Sequence, residues 1–467
     1  MVICMKNFRE KYIGDKAFYK MVLLVALPIM IQNGITNFVS LLDNIMVGQL
    51  GTEQMSGVAI VNQLMNVYNI CIFGAVSGAS IFSAQFYGQG NHEGVRDAFR
   101  FKMVCCTIIL LLGLTVFATG GNTLIQLFLN DDSAANIAMT HEAGMRYLSV
   151  MMIGMIPFTI TQTYASTLRE TGQTILPMAA GISAVFVNLV LDYAFIFGFA
   201  GVPAMGVKGA AIATVIARVI EMSIVVIRTH CNQKRNIFIR GVYRGFKIPG
   251  TLVKQIVKKG MPLLMNEALW SGGMAVLSQC YSMRGLDAVA AINISTTVSN
   301  LFNVVFIALG SSISIVVGQQ LGAGQLEKAV DTDRKMIFFS VACCFVVGLV
   351  MQFVAPTFPN IYNTSDVVKN LATDLICIAS LFMPFYAFYH AAYFTLRSGG
   401  KTVITFLFDS CYLWVINIPV AFLLSRYTGM ELIPIYLTCQ CVEIVKGVVG
   451  FVLLKKKVWV NNIVNAF

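Results

Sequence analysis

The run "MVCCTIILLLGLTVFATG", residues 103–120, carries no charged side chain, and its reading decides the fold. A helix rises 1.5 Å per residue, so about 20 apolar residues cross the ~30 Å hydrocarbon core of a bilayer. Comparable runs recur along the 467-residue chain. They lie at roughly 21–47, 55–87, 147–168, 174–199, 208–227, 260–283, 288–321, 336–355, 370–396, 402–425 and 432–454, and with 103–120 they predict twelve spans. Only 12% of the residues are charged and 57% are hydrophobic, whereas soluble domains carry about 25% charged residues. The composition describes a polytopic all-α membrane protein. No cleavable signal peptide is expected, because the first apolar run is too long for one. The cysteines fall mostly inside the runs and read as small apolar fillers.

The net charge of +11 is explained by topology. Assigning loops alternately to two sides puts twenty-six lysines and arginines on one side and five on the other; Arg218 and Lys446 lie within spans. The positive-inside rule then places both termini in the cytoplasm of a plasma-membrane protein. Snorkelling and lipid contact account for the basic excess without any nucleic-acid partner.

Residues 228–259 form a basic cytoplasmic linker between an N-terminal lobe, 1–227, and a C-terminal lobe, 260–467. The end of the linker, "PGTLVKQIVKKG" (249–260), sets Leu252, Val253, Ile256 and Val257 on one helical face and predicts a separate short helix on the inner leaflet. The two lobes repeat. At a constant offset of 234, Pro28 answers Pro262, Gln85 Gln319, Gly88 Gly322, Gly90 Gly324, Asp97 Asp331 and Arg100 Arg334. "LRETGQT" (168–174) answers "LRSGGKT" (396–402). Six spans per repeat is an even number, so the lobes are related by a pseudo-two-fold axis along the membrane normal. Pro28 and Pro262 predict matched kinks.

The pieces "LLDNIMVGQLG" (41–51), "QFYGQG" (85–90), "LRETGQTILP" (168–177), "NLVLDYAFIFG" (188–198) and "GVKGAAIAT" (206–214), in this order and spacing, resemble the multidrug and toxic compound extrusion (MATE) family over the whole chain. The resemblance implies two six-helix lobes around a central cavity. It also implies export of amphipathic, mostly cationic compounds by antiport with H+ or Na+. Flippases of lipid-linked precursors in the same superfamily supply the alternative. Nothing indicates an enzyme. "SGGKT" (398–402) has Thr395 where a phosphate-binding loop needs its first glycine. No cofactor is expected beyond the coupling ion, and the partners are small-molecule substrates and the bilayer around a monomer.

A carboxylate in mid-membrane costs several kcal/mol and marks function. Asp43 lies five residues before Gly48, Asp192 seven before Phe199 and Thr214 six after Lys208. All three therefore sit roughly 8–10 Å below the outer surface, with Asn188 one turn deeper than Asp192. Two nearby carboxyls in low dielectric bind a proton or share a cation such as Na+. The resemblance places its N-lobe ion site on Asp43, Asn188 and Asp192, with Thr214 carried over less directly; a structural hydrogen-bonded cluster is the competing reading. In the second half Glu267, His390, Asp409 and Lys446 lie roughly 10–14 Å from the inner surface. They read as a second protonation site, a gate or a structural charge network, with Glu267 and Lys446 the expected partners. Arg218–Glu221 and Glu443–Lys446 are i,i+3 pairs able to neutralise themselves within a helix.

Overall fold

Twelve long helices account for most of the chain in the computed structural model, which describes residues 9–129, 134–199, 201, 203–245, 247–465 and 467, with the side chains of 41, 134 and 135 left aside. They are α1 (Lys16–Gly48), α2 (Thr52–Gln89), α3 (His92–Gln126), α4 (Ala134–Glu170), α5 (Ile175–Phe197), α6 (Val207–Cys231), α7 (Gly250–Ser282), α8 (Leu286–Gly322), α9 (Leu326–Val354), α10 (Asp366–Ser398), α11 (Thr402–Tyr427) and α12 (Leu432–Lys455). There is no strand among the described residues. Cys4 and Lys6, part of the sequence reading of cysteines and cytoplasmic cations, lie outside them.

Eleven helices are long and apolar enough to cross a membrane. The exception is α7, which carries Lys254, Lys258, Lys259 and Glu267 within its 33 residues. Its boundaries correct one expectation. The amphipathic segment at 249–260 is not a separate surface helix but the first turns of α7, which continues through Pro262 to Ser282. Proline leaves the preceding helix intact when it removes only one ladder bond, and the face bearing Leu252 and Ile256 is buried against protein. Apolar side chains elsewhere point outward in quantity. On α3, Ile108, Leu111, Leu112 and Val116 are each more than half exposed, an apolar surface suited to lipid.

The repeat is visible in the helix boundaries. Both ends of α7 lie 234 residues after those of α1. The D-x-x-R motif pairs internally in each half, Arg100 with Asp97 at 2.9 Å and Arg334 with Asp331 at 4.0 Å. Helices α4 and α10 also carry interior prolines, Pro157 and Pro384, one residue out of register at the 228 offset of "LRETGQT" and "LRSGGKT".

Contacts divide the chain into two compact units, and the division differs from the sequence lobes in two places. The first unit holds Ile31–Ser83 and His92–Ile256. Its core gathers Val61, Met65, Tyr68, Ile72, Met151, Met155 and Ile196. The second holds Val257–Phe467 together with α1 up to Met30 and with Ala84–Asn91. Val22, Ala26, Leu309, Val317, Leu396 and Trp459 form its largest core cluster. Three helices therefore change unit along their length: α1 just after Pro28, α2 after Ser83 and α7 after Ile256.

The glycines of the repeated Q-x-x-G-x-G motif explain the second case. A Cβ at Gly88 would overlap the Gln319 carbonyl, and one at Gly322 would overlap the Gln85 carbonyl. Each motif thus presents its glycine to the glutamine backbone of the other. The C-terminal segment then covers the crossing. Gln85 Nε2 donates to Ser398 O (2.9 Å) and Asn461 O (3.2 Å), and its Oε1 accepts from Ile463 N (2.9 Å). Asn462 Nδ2 donates to Gly322 O at 3.1 Å. Gly322→Ala and Gly88→Ala are each expected to destabilise the protein by about 1–3 kcal/mol, since neither backbone can give way. Thermal unfolding in detergent should show the loss, with Gly90→Ala, whose Cβ meets no neighbour, reporting backbone strain alone.

Candidate functional site

Asp43 stands five residues before the end of α1 and Asp192 five before the end of α5. The two carboxyls adjoin, and Asn188, one turn back on α5, adjoins Asp192. Asp192 and Asn188 are buried, at 2% and 8% exposure. Asp43 Oδ1, Asp192 Oδ1 and Asn188 Nδ2 are all buried without a hydrogen-bond partner. Unsatisfied buried polar atoms cost about 1–3 kcal/mol each, and more when charged. Three in one place describe a site with something left to bind. Thr214 lies on α6 half-buried, and its hydroxyl donates to Ala210 O at 3.0 Å. Its proton is thus spent within its own helix, and only its lone pairs remain to face a cation.

The second unit gathers its charges differently. Lys446 Nζ on α12 is 2.7 Å from Asp409 Oδ1 and 3.8 Å from Glu443 Oε2. Asn266 Nδ2 on α7 donates to Asp409 Oδ2 at 3.0 Å, while Asn266 Oδ1 accepts from the Ser410 N–H and hydroxyl. The expected Glu267–Lys446 pairing is not what forms. Glu267 accepts from the Tyr393 hydroxyl at 3.1 Å, and Lys446 belongs to Asp409. The reason lies in α11, which winds as π-helix over Leu407–Cys411 and again over Leu413–Asn417, just ahead of Pro419. Proline cannot donate to the helix ladder, and wide turns absorb the defect. They also carry Asp409. His390 donates Nδ1–H to Tyr386 O (3.0 Å) within α10 and packs on Phe306, with ring centroids 4.4 Å apart. It stands beside the ion pair without joining it.

Glu443–Lys446 does meet within one helix, as expected. Arg218, attracted to Glu221 on its own helix, also reaches α4, where it donates to Gly154 O at 3.3 Å and lies over the Phe158 ring at 5.1 Å.

The profile of the MatE family matches residues 28–194 and 262–423 of this chain. The chain belongs to the MatE family. Both matched blocks begin at the repeated prolines, and the unmatched stretch between them contains the basic linker. The probable multidrug resistance protein NorM of Thermotoga maritima is 26% identical over 415 residues, covering 89% of this chain and 87% of its own. The uncharacterized transporter YisQ of Bacillus subtilis is 20% identical over 439 residues, 93% of this chain and 94% of that one. Among solved structures, an outward-facing multidrug resistance MATE family transporter of the MOP superfamily superposes with TM-score 0.84 at 19% identity, over 95% of this chain and 96% of that one. A MOP superfamily transporter from Pyrococcus furiosus superposes with TM-score 0.83 over the same shares, again at 19% identity. At that identity the likeness carries the fold: this MatE chain is an all-α, twelve-helix multi-pass membrane protein of a transporter family.

Three polar features of the MatE chain escape sequence reasoning. Lys102, expected at the cytoplasmic surface, is fully buried on α3, with Nζ 2.6 Å from Glu170 Oε2 and 3.1 Å from the hydroxyls of Ser166 and Thr167. Its partner Glu170 lies in "LRETGQT" where the other repeat has Ser398, so the repetition gave no signal for it. Tyr147 on α4 is buried near Asp43, Asp192 and Arg218, its hydroxyl donating to Asn62 Oδ1 at 3.3 Å. Asn266, next to Glu267, is the residue that holds Asp409.

Proposed function

We propose that the protein is a secondary exporter of amphipathic, mostly cationic compounds, driven by inward flow of H+ or Na+ through Asp43, Asn188 and Asp192. The observation that carries the reading is that the carboxyls of half-buried Asp43 and buried Asp192 adjoin, with Asp43 Oδ1, Asp192 Oδ1 and Asn188 Nδ2 buried and without a hydrogen-bond partner. A proton or a sodium ion between the carboxyls satisfies both oxygens at once. Thr214 contributes lone pairs to a cation held there. Occupation removes like-charge repulsion between the ends of α1 and α5, and the response falls on Pro28, where α1 lacks a ladder bond. The passage of α1 from one unit to the other just beyond Pro28 supports this hinge. Pro262 is the matched kink in α7, which changes unit six residues earlier, after Ile256. Asp409 and Lys446 form the centre of a second polar cluster, with Glu267 on Tyr393 and His390 beside it. The protein works as a monomer in the cytoplasmic membrane with both termini inside.

The flippase reading needs cationic side chains free for phosphate. Lys446 is committed to Asp409, and Arg218 donates to Gly154 O and lies over Phe158, so both would have to leave these partners to hold phosphate.

Equilibrium measurements on purified protein test the ion site apart from transport. Sodium titrated into a weakly buffered wild-type sample should release protons if the two ions compete. A proton-only site should instead take up protons on acidification in excess of Asp192→Asn. Identical titrations for wild type and Asp192→Asn, with and without sodium, would remove the site.

A further inference from the structure

The ammonium of Lys446 sits in a container built for a cation. Its Nζ is 4.8 Å from the Tyr389 ring centroid and 5.5 Å from that of Phe408. Asp409 lies at 2.7 Å and Glu443 at 3.8 Å. Aromatic faces plus a carboxylate are the chemistry by which proteins recognise organic ammonium groups, and rings within about 6 Å of the charge contribute. A lysine needs only one carboxylate to be neutralised. Here a second, Glu443, is held in place by Asn417 Nδ2 at 2.6 Å, while its Oε2 stays buried and without a hydrogen-bond partner. Asp409 is independently aimed by Asn266. The walls are thus fixed by neighbours other than Lys446, on α7, α10, α11 and α12. The side chains of Asp409 and Glu443 keep 16% and 13% of their exposure, so the container is not sealed. Lysine is the one part free to leave, since its four-carbon stem is flexible and its ammonium is readily hydrated.

We propose that Tyr389, Phe408, Asp409 and Glu443 form a recognition site for the organic ammonium group of an exported compound, with Lys446 as its tethered occupant. An arriving alkylammonium or quaternary ammonium displaces the lysine and takes its place between the rings and the carboxylates. The site charge is the same before and after, so exchange avoids stranding a buried carboxylate. A neutral compound of similar shape gains nothing from the exchange, which gives selectivity for cations. The proposal rests on the exporter reading only for the source of the ligand.

The test removes the occupant. Purified Lys446→Ala should unfold at a lower temperature than wild type, and tetramethylammonium chloride should restore it in a saturable way, while sodium chloride at equal concentration should not. Adding Tyr389→Leu or Phe408→Leu should weaken that rescue about tenfold, the size of one desolvated cation–π contact. Where Lys446→Ala does not accumulate, Lys446→Gln, whose amide still donates to Asp409, takes the same titration. Saturable rescue that depends on the rings supports the site. Rescue absent from both lysine variants, or indifferent to both ring substitutions, overturns it. Binding without any export of cations would leave the site standing and remove the exporter instead.

Discussion

Asp192→Asn is expected to abolish export, bringing resistance or dye efflux in cells down to the level of empty membranes, with insertion and thermal stability close to wild type. Asn fills the same volume, so the packing of α5 survives, and its amide donates to Asp43 where a proton or cation would otherwise bridge. The site is then permanently in one state. An exporter that cannot change the charge of its coupling site has no way to draw on the gradient, so the effect is a loss and not a reduction. Asp43→Asn should do the same. Undiminished export by a folded Asp192→Asn protein would separate this pair from transport altogether.

The second large effect concerns stability. Lys446→Met leaves Asp409 and Glu443 buried without their cation, and breaking a buried ion pair from one side costs about 3–5 kcal/mol. Asp409→Asn alone removes the nearer partner of the ammonium and leaves it Glu443 at 3.8 Å, so its cost should be smaller. The double variant, Lys446→Met with Asp409→Asn, should recover the part of the loss that belongs to Asp409, with Glu443 still lacking its cation. The oxygen of the new amide would still accept from Asn266 Nδ2, and the methionine stem fills the lysine's path. A double-mutant cycle read by thermal unfolding gives the coupling directly. Additive losses in the double variant would contradict the geometry of the pair.

The fold was legible in the sequence because its causes are local and repeated. An eighteen-residue run such as 103–120 has one physical reading, and the offset of 234 relates the ends of α1 and α7, although the first turns of α7 read in the sequence as a separate surface helix. Asp43 and Asp192 stood out because charge in an apolar run is costly wherever it folds. What remained hidden depends on partners distant in sequence. Lys102 looks like any cation near a helix end until Glu170, 68 residues later, closes on it. Glu267 and Asp409 are equally plausible partners for Lys446 at the level of depth. The choice is made by π-helical turns in α11 and by Asn266, an amide that carries no charge to draw notice. The two units were hidden for a related reason: Gly88 and Gly322 are ordinary helix glycines until each meets the other motif's backbone.

The central claim is that an ion gradient drives export through the Asp43–Asp192 pair. Reconstituted vesicles, loaded to read uptake of a fluorescent cation and given a pH gradient or a sodium gradient separately, measure it most directly. Wild-type protein should move the dye against its own gradient when one of the two is imposed and stop when it is collapsed, and Asp192→Asn should do neither. Dye movement that ignores both gradients, or that persists in Asp192→Asn, would contradict the account.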